Sequence, residues 1–371
     1  GPAAAAQRER QFAAFRRAVD LAIAEKVDLV LISGDLFDSN SQPRRSVERA
    51  AGELKRLVER HVSVVLIPGT HDCYDSSSIY RVFDLPQMAG VAPDSDALVV
   101  LTDERPQITY PELDTTVHGR VSRTKRASGS PLANFSAAEA ARSSRWQIGM
   151  IHGSLAVPGR VEEDDVLFTE AEIASSGLHY LALGHWHSFR EGRAGSTTWA
   201  YAGAPEPVAM DQDGAGHVLL VTLQEAGGKA HVGVEPRTVG QTRRRRLDLD
   251  AASVVSQADL ARQLAQLADP NLVLDARLIG LSADGLDLHV DEVEEQLQGS
   301  FLRLRLRDES VAALPDGPLP PADTIAGAFV RELQGRIAAE EKESPERAAE
   351  LREALRLGRL LLEDPQRVSL V

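Results

Sequence analysis

Phe12, Phe15, Val19, Ala22 and Ile23 recur at steps of three and four, which predicts a helix with one apolar face running to about Lys26. Residues 28–33 follow as a short unbroken apolar run ending at Gly34-Asp35. Such a run suits a strand in a sheet covered on both faces. The plan then repeats. Val47, Leu54, Leu57 and Val58 predict a second helix, residues 62–67 a second buried strand, and Pro68-Gly69-Thr70-His71-Asp72 the loop at its end. Residues 146–151 run into His152, and residues 180–183 run into Gly184-His185-Trp186-His187. Four strands of an α/β fold therefore deliver polar residues at their C-terminal ends.

Residues 217–223 and 230–234, separated by Glu225-Ala226-Gly227-Gly228, predict a hairpin that closes a first domain over residues 1–240. Arg243-Arg244-Arg245-Arg246 marks a change, after which a smaller α/β cap domain is expected over residues 241–314. Its predicted elements are a helix at 257–268, a strand at 272–281, a helix at 290–297 and a strand at 301–306. Pro315, Pro318, Pro320 and Pro321 predict a stiff linker, since each proline fixes its own φ and restricts its predecessor. The linker opens a C-terminal helical segment, residues 315–371, with amphipathic helices at 324–339 and 345–362. Their apolar faces, carried by residues such as Phe329, Val330, Leu351 and Leu355, either pack on the cap or dock a partner. No internal repeat is visible.

The chain has 371 residues, 43% of them hydrophobic, which is room for more than one compact domain. Its single cysteine, Cys73, excludes an intramolecular disulfide, and no apolar run is long enough for a bilayer span or a signal segment. A cytoplasmic protein without a membrane partner is the expectation. A formal net charge of -14 disfavours non-specific nucleic-acid binding by the whole surface, because counterion release needs many cationic side chains. Any DNA contact must be local or shared with a partner. Arg303, Arg305 and Arg307 alternate with leucines, so three guanidinium groups line one face of a strand and are candidate substrate-binding residues. They either track a phosphate backbone or form an ordinary solvated sheet face. Arg243 to Arg246, and Arg120, Arg123, Lys125 and Arg126, pose the same choice between DNA contact and solvated loop.

A hard divalent cation wants carboxylate oxygens and neutral imidazole nitrogens, and a catalytic pair of cations needs such ligands to converge from several loops. Strand ends achieve that convergence. Asp35 and Asp38 stand in Gly34-Asp35-Leu36-Phe37-Asp38, His71 in the next loop, His152 after the third strand, and His185 and His187 flank Trp186. Residues i and i+2 of an extended segment point the same way, so one loop can offer both imidazoles. An isolated Gly-Asp reads equally as a turn, and a lone histidine as a structural residue. The ordered set, each member closing a predicted buried strand, points to a metal site.

At these residues, and in the phrases IHGS, ALGHWH and YAGAPEP, the chain resembles the calcineurin-like metallophosphoesterase superfamily and its DNA-repair exonuclease branch, over about residues 12–234. The resemblance implies a layered β-sheet core flanked by helices. It implies a phosphodiesterase using two divalent ions, Mn²⁺ most of all and Mg²⁺ otherwise, with hydroxide held between them attacking phosphorus in line. Carried over by position, Asp35 would bridge both ions, His187 would serve the first, and His152 and His185 the second. Thr70 stands where the family has an asparagine ligand. His71 would face the substrate as the catalytic group for the leaving oxygen, oriented by the carboxylate of Asp38. The implied partners are DNA, an SMC-like coiled-coil ATPase and a second copy of the chain. The family's first strand and its Asp-X-His motif have no match before Asp35; since the chain begins at Gly1, the expectation is that the motif precedes it, the alternative being a protein that lacks it. A small-molecule phosphodiesterase and an inactive scaffold docking the ATPase stay open as functions.

Overall fold

The structure, a computed structural model, describes residues 2–121, 124, 129–138, 143–157, 159, 161, 166–212, 214–282, 286, 288–312, 319–341 and 344–363. Arg123, Lys125, Arg126, Pro315 and Pro318 lie outside them. The chain divides into two compact units, Gly1–Thr242 and Arg243–Val371.

The first unit begins with α1 (Pro2–Glu25), β1 (Leu29–Ser33), α2 (Arg44–Val58), β2 (Ser63–Ile67), the single-turn helices α3 (Ile79–Val82) and α4 (Leu85–Met88), and β3 (Leu98–Val100). Helical crossovers make β1, β2 and β3 a parallel sheet in that order, with Leu31 opposite Val65 and Val65 opposite Val99. In α2, Val47, Ala50, Ala51, Leu54 and Leu57 recur at helical spacing and are buried together with Val19 of α1 and Val64 of β2. The expectation that β1 is covered on both faces is corrected. All five of its residues are half-buried, because β1 is the edge of its sheet, whereas the central β2 buries Val64 to Ile67.

β4 (Gln107–Tyr110), β5 (Thr115–Arg120), β6 (Trp146–His152), the short pair β7 (Ser154–Leu155) and β8 (Leu167–Phe168), α5 (Glu170–Ser175), β9 (Tyr180–Gly184), β10 (Arg190–Ala194) and β11 (Thr197–Tyr201) follow. Six of these strands form a second sheet in the order β10-β11-β9-β6-β5-β4, parallel in the middle and antiparallel at both edges. Val65, Ile67 and Val99 of the first sheet meet Val117, Ile148, Met150 and Ala182 of the second in one core. This packing sets the ends of β1, β2, β6 and β9 side by side. β12 (His217–Ala226) and β13 (Lys229–Thr238) form the expected hairpin, with longer strands than expected, because Gly227 and Gly228 at positive φ make a two-residue turn.

The second unit comprises β14 (Arg243–Asp250), α6 (Gln257–Ala265), β15 (Asp269–Ile279), the short β16 (Leu281–Ser282), α7 (Val290–Gln296), β17 (Phe301–Asp308), the short β18 (Val311–Ala312), α8 (Ile325–Glu340) and α9 (Pro345–Glu363). Arg243 to Arg246 open strand β14 of a parallel β14-β15-β17 sheet, which corrects their reading as a loop. One face of that sheet buries Leu274, Ala276, Leu278 and Leu306 with Leu260 and Leu264 of α6 and Val293 of α7. The opposite face carries Arg246, Arg277, Arg303, Arg305 and Arg307. α8 and α9 pack on each other, the ring of Phe329 lying 2.1 Å from where a Cβ on Gly358 would stand. Among the described residues no helix is long and apolar enough to cross a membrane.

Candidate metal centre

Because β1 and β2 are parallel and in register, Gly34-Asp35 and Gly69-Thr70-His71 leave the sheet together. A buried carboxylate joins them. Asp72 Oδ1 accepts from the backbone N–H of Gly69 at 2.7 Å and of Asp35 at 3.1 Å, and Oδ2 accepts from Phe37 N–H at 3.2 Å and Tyr80 O–H at 2.5 Å. Burial, which these donors only partly offset, raises the Asp72 carboxyl above its ordinary range. Burial and the same carboxylate push the Tyr80 hydroxyl well up.

Asp35 itself sits at φ 52, in the left-handed region, directly after Gly34 at φ 88. That turn aims its carboxylate across the loops. Oδ1 accepts from His71 N–H at 2.8 Å, and Oδ2 lies 3.1 Å from His152 Nε2. Burial works to raise the Asp35 carboxyl, but the hydrogen bond and charge of His152 together with the His71 N–H outweigh it and hold the group below the usual range.

His152 ends β6 and is 2% exposed. Its Nδ1 stands 2.8 Å from the carbonyl of Ser33 in β1. A carbonyl only accepts, so the proton of the neutral ring is on Nδ1 and the Nε2 lone pair is left facing Asp35 Oδ2 and, at 3.3 Å, Thr70 Oγ1. A carboxylate oxygen and a bare imidazole nitrogen at that separation repel each other; a proton on Nε2, which supplies the hydrogen bond and charge that hold Asp35 down, or a cation between the two reconciles them. The His185 ring stands edge-on to His152 with centroids 5.3 Å apart, on a residue at φ 98. Backbone strain of this kind, about 1–3 kcal/mol per residue, persists where the surroundings over-determine it. Here the determinant is Trp186, which stacks on buried Tyr201 at 4.5 Å and donates from Nε1 to Ser154 Oγ at 2.9 Å.

Close approach of β9 to β1 makes Gly184 obligatory: a Cβ there would meet the Ser33 carbonyl oxygen at 1.9 Å and His152 Nδ1 at 2.7 Å. Gly184→Ala is therefore expected to destabilise the first unit by about 1–3 kcal/mol, the usual range for overpacking, with a loss of cation affinity. Denaturant unfolding beside a cation titration checks both.

The structure thus brings together Asp35, Thr70, His71, His152 and His185. His187 is different: its ring is exposed and its Nδ1 is contacted by the side-chain amide of Gln212. The expected carboxylate of Asp38 behind His71 is corrected as well. His71 Nδ1 lies 3.2 Å from the Asp38 backbone carbonyl, while the Asp38 carboxylate accepts from Gln42, four residues along the same loop. Among the described residues, no group of three or more His, Cys, Asp or Glu side chains surrounds one point. The donor set still fits one divalent cation, because carboxylate, imidazole and hydroxyl donors converge and the Nδ1–H of His152 is anchored as ligating histidines usually are. Asp35, His152 and Thr70 would hold it, with His185, packed edge-on against His152, as a further candidate. For a second cation Asp35 and His187 are the candidates.

Asp72, Tyr80, Trp186 and Gln212 carry the site without having been singled out from sequence. The alternation around Trp186 could have marked it as the inward residue between two outward histidines. Tyr80, in the single-turn α3, and Gln212, in a loop, reach the site through tertiary contacts and leave no periodic trace.

A two-sheet α/β unit that gathers aspartate and histidine donors at its strand ends is the architecture of a metallophosphoesterase. Residues 8–189 match the calcineurin-like phosphoesterase family, and the chain carries a domain of that family. Several curated proteins are similar to it. The uncharacterized metallophosphoesterase YhaO of Bacillus subtilis is 26% identical over 181 residues, 48% of this chain and 41% of that protein. The DNA double-strand break repair protein Mre11 of Saccharolobus solfataricus is 30% identical over 193 residues, 52% of this chain and 47% of that protein. Its namesake from Aeropyrum pernix is 25% identical over 215 residues, 56% of this chain and 50% of that one. The chain spans half or less of the length of these relatives.

Proposed function

We propose that the chain is a divalent-metal-dependent phosphodiesterase whose substrate is DNA, working as a nuclease subunit in DNA repair. The observation that supports this reading most is the facing pair of Asp35 Oδ2 and His152 Nε2, a carboxylate oxygen and an imidazole nitrogen 3.1 Å apart that a proton or a cation between them reconciles. Mn²⁺ suits the mixed oxygen and nitrogen donors, with Mg²⁺ the alternative. When bound, divalent cations supply Lewis acidity for attack of water on phosphorus and neutralise the charge that develops there.

The chain's own residues supply the rest. Asp72 keeps both loops in place, His152 is fixed in one tautomer by Ser33, and exposed His71 stands at the mouth of the site with its backbone held by Asp35. His71 is placed to protonate the leaving oxygen or to donate a hydrogen bond to the crowded phosphorus oxygens.

DNA contact in the second unit is assigned to Arg303 and Arg305, which are exposed on the open face of β17. Arg307 is tied down by two bonds to Asp275, at 2.9 and 3.0 Å, and by Glu309. Reversing both charges, Arg303→Glu with Arg305→Glu, is expected to weaken DNA binding and to lower the slope of log K against log salt by about 2. An unchanged slope would remove these residues from the interface. An SMC-like ATPase and a second copy of the chain are the proposed protein partners.

The test of function is hydrolysis of end-labelled linear DNA in Mn²⁺ and in chelator, beside His185→Ala. Mn²⁺-dependent shortening lost in the variant is expected. No shortening of DNA with hydrolysis of a generic phosphodiester would replace DNA by a small-molecule substrate. No hydrolysis of either would favour the inactive scaffold, the reading to which the Gln212 contact of His187 lends support.

A further inference from the structure

Gln212 is 7% exposed, and its orientation is fixed independently of the histidine it touches. Its Oε1 accepts from the backbone N–H of Val208 at 2.7 Å and of Ala209 at 3.1 Å. Turning the amide over would set its NH₂ against two N–H donors, so the oxygen faces the backbone and the nitrogen faces His187 Nδ1. An amide nitrogen donates and does not accept. His187 Nδ1 must then accept, and the proton of the neutral ring resides on Nε2.

This is the reverse of His152, whose Nδ1–H donates to the Ser33 carbonyl and whose Nε2 is bare. Histidine ligands ordinarily give their second N–H to a carbonyl or carboxylate, which frees the other nitrogen for the metal. His187 meets a donor instead. Ligation through Nε2 would move the proton to Nδ1, head-on against the Gln212 NH₂. Ligation through Nδ1 would require Gln212 to leave.

We infer that Gln212 is a latch on the His187 side of the site: it selects the Nε2–H tautomer of His187 and opposes cation binding there until it is displaced. The inference rests on reading His187 as a ligand of the proposed metal centre. Gln212→Glu separates the latch from the loop around it. A carboxylate at this position still accepts from Val208 and Ala209, but it presents His187 with an acceptor and so favours Nδ1–H.

Long-range proton–nitrogen spectra of the histidine rings in the ¹⁵N-labelled, metal-free chain at pH 8 read the tautomers directly. His187 is expected as Nε2–H and His152 as Nδ1–H. In Gln212→Glu, His187 should change to Nδ1–H while His152 stays as it is. Zn²⁺, a diamagnetic probe, should then bind at His187 about tenfold more tightly than in the wild type, the lower end of what an outer-shell partner contributes. Nδ1–H on His187 in the wild type overturns the assignment, and that measurement decides even if the variant fails to fold. Equal Zn²⁺ affinity in the two proteins overturns the latch. Tautomers and affinities as expected, with no phosphodiester hydrolysed, leave Gln212 in its role and refute the proposed function.

Discussion

Asp35→Asn is expected to cut phosphodiester turnover about a thousandfold or more, a loss of about 4 kcal/mol of transition-state stabilisation, with the fold intact. The carboxamide matches the carboxylate in shape. Its oxygen can keep the bond from His71 N–H, and its NH₂ would donate to the bare Nε2 of His152 in place of the present close approach. Stability should therefore stay within about 1 kcal/mol of the wild type, the net worth of an ordinary hydrogen bond. The charge is what disappears. Steady-state kinetics beside denaturant unfolding separates the two quantities; turnover reduced less than tenfold would mean that Asp35 is a turn residue after all.

Asp72→Ala should act the other way, on the fold before the chemistry. Three backbone N–H groups, from Asp35, Phe37 and Gly69, and the Tyr80 hydroxyl all lose their acceptor at a site with no exposed surface. Each buried donor left unsatisfied costs about 1–3 kcal/mol, and partial relaxation of the loops brings the expected total to about 3–5 kcal/mol. Tyr80→Phe removes only one of the four donors and should cost about 1 kcal/mol. Equilibrium unfolding of both variants checks the ratio. Equal, small losses would show that the two loops are held by something other than this carboxylate.

The strand ends of the site were legible because buried parallel strands write themselves as unbroken apolar runs, and the residue that stops each run is the one the sheet presents. Asp35, His71, His152 and His185 were found in this way, and their order along the chain pointed to the family. What the runs do not encode is who covers them. β1 reads like β2 yet lies at the edge of its sheet, and β4 and β10 are too polar and too short to announce themselves. The four arginines before Leu247 looked like a loop because charge masks alternation; in β14 it is Leu247 and Leu249 that turn towards the core. The Asp38 carboxylate was expected behind His71 from position alone. A side chain two bonds long can turn either way, and Gln42 four residues on in the same loop offers it a donor. Tyr80 and Gln212 illustrate the larger limit. Their roles come from tertiary contacts with no spacing rule, and only the folded chain reveals them.

The central claim is that Asp35 and His152 face each other to hold a cation. Calorimetric titration of Mn²⁺ into the metal-free chain, wild type beside His152→Ala, tests it most directly. Saturable binding in the wild type, weakened by about a hundredfold or more in the variant, is the expected result, since a ligand should matter at least as much as an outer-shell partner. No saturable binding, or the same affinity in both proteins, would contradict it.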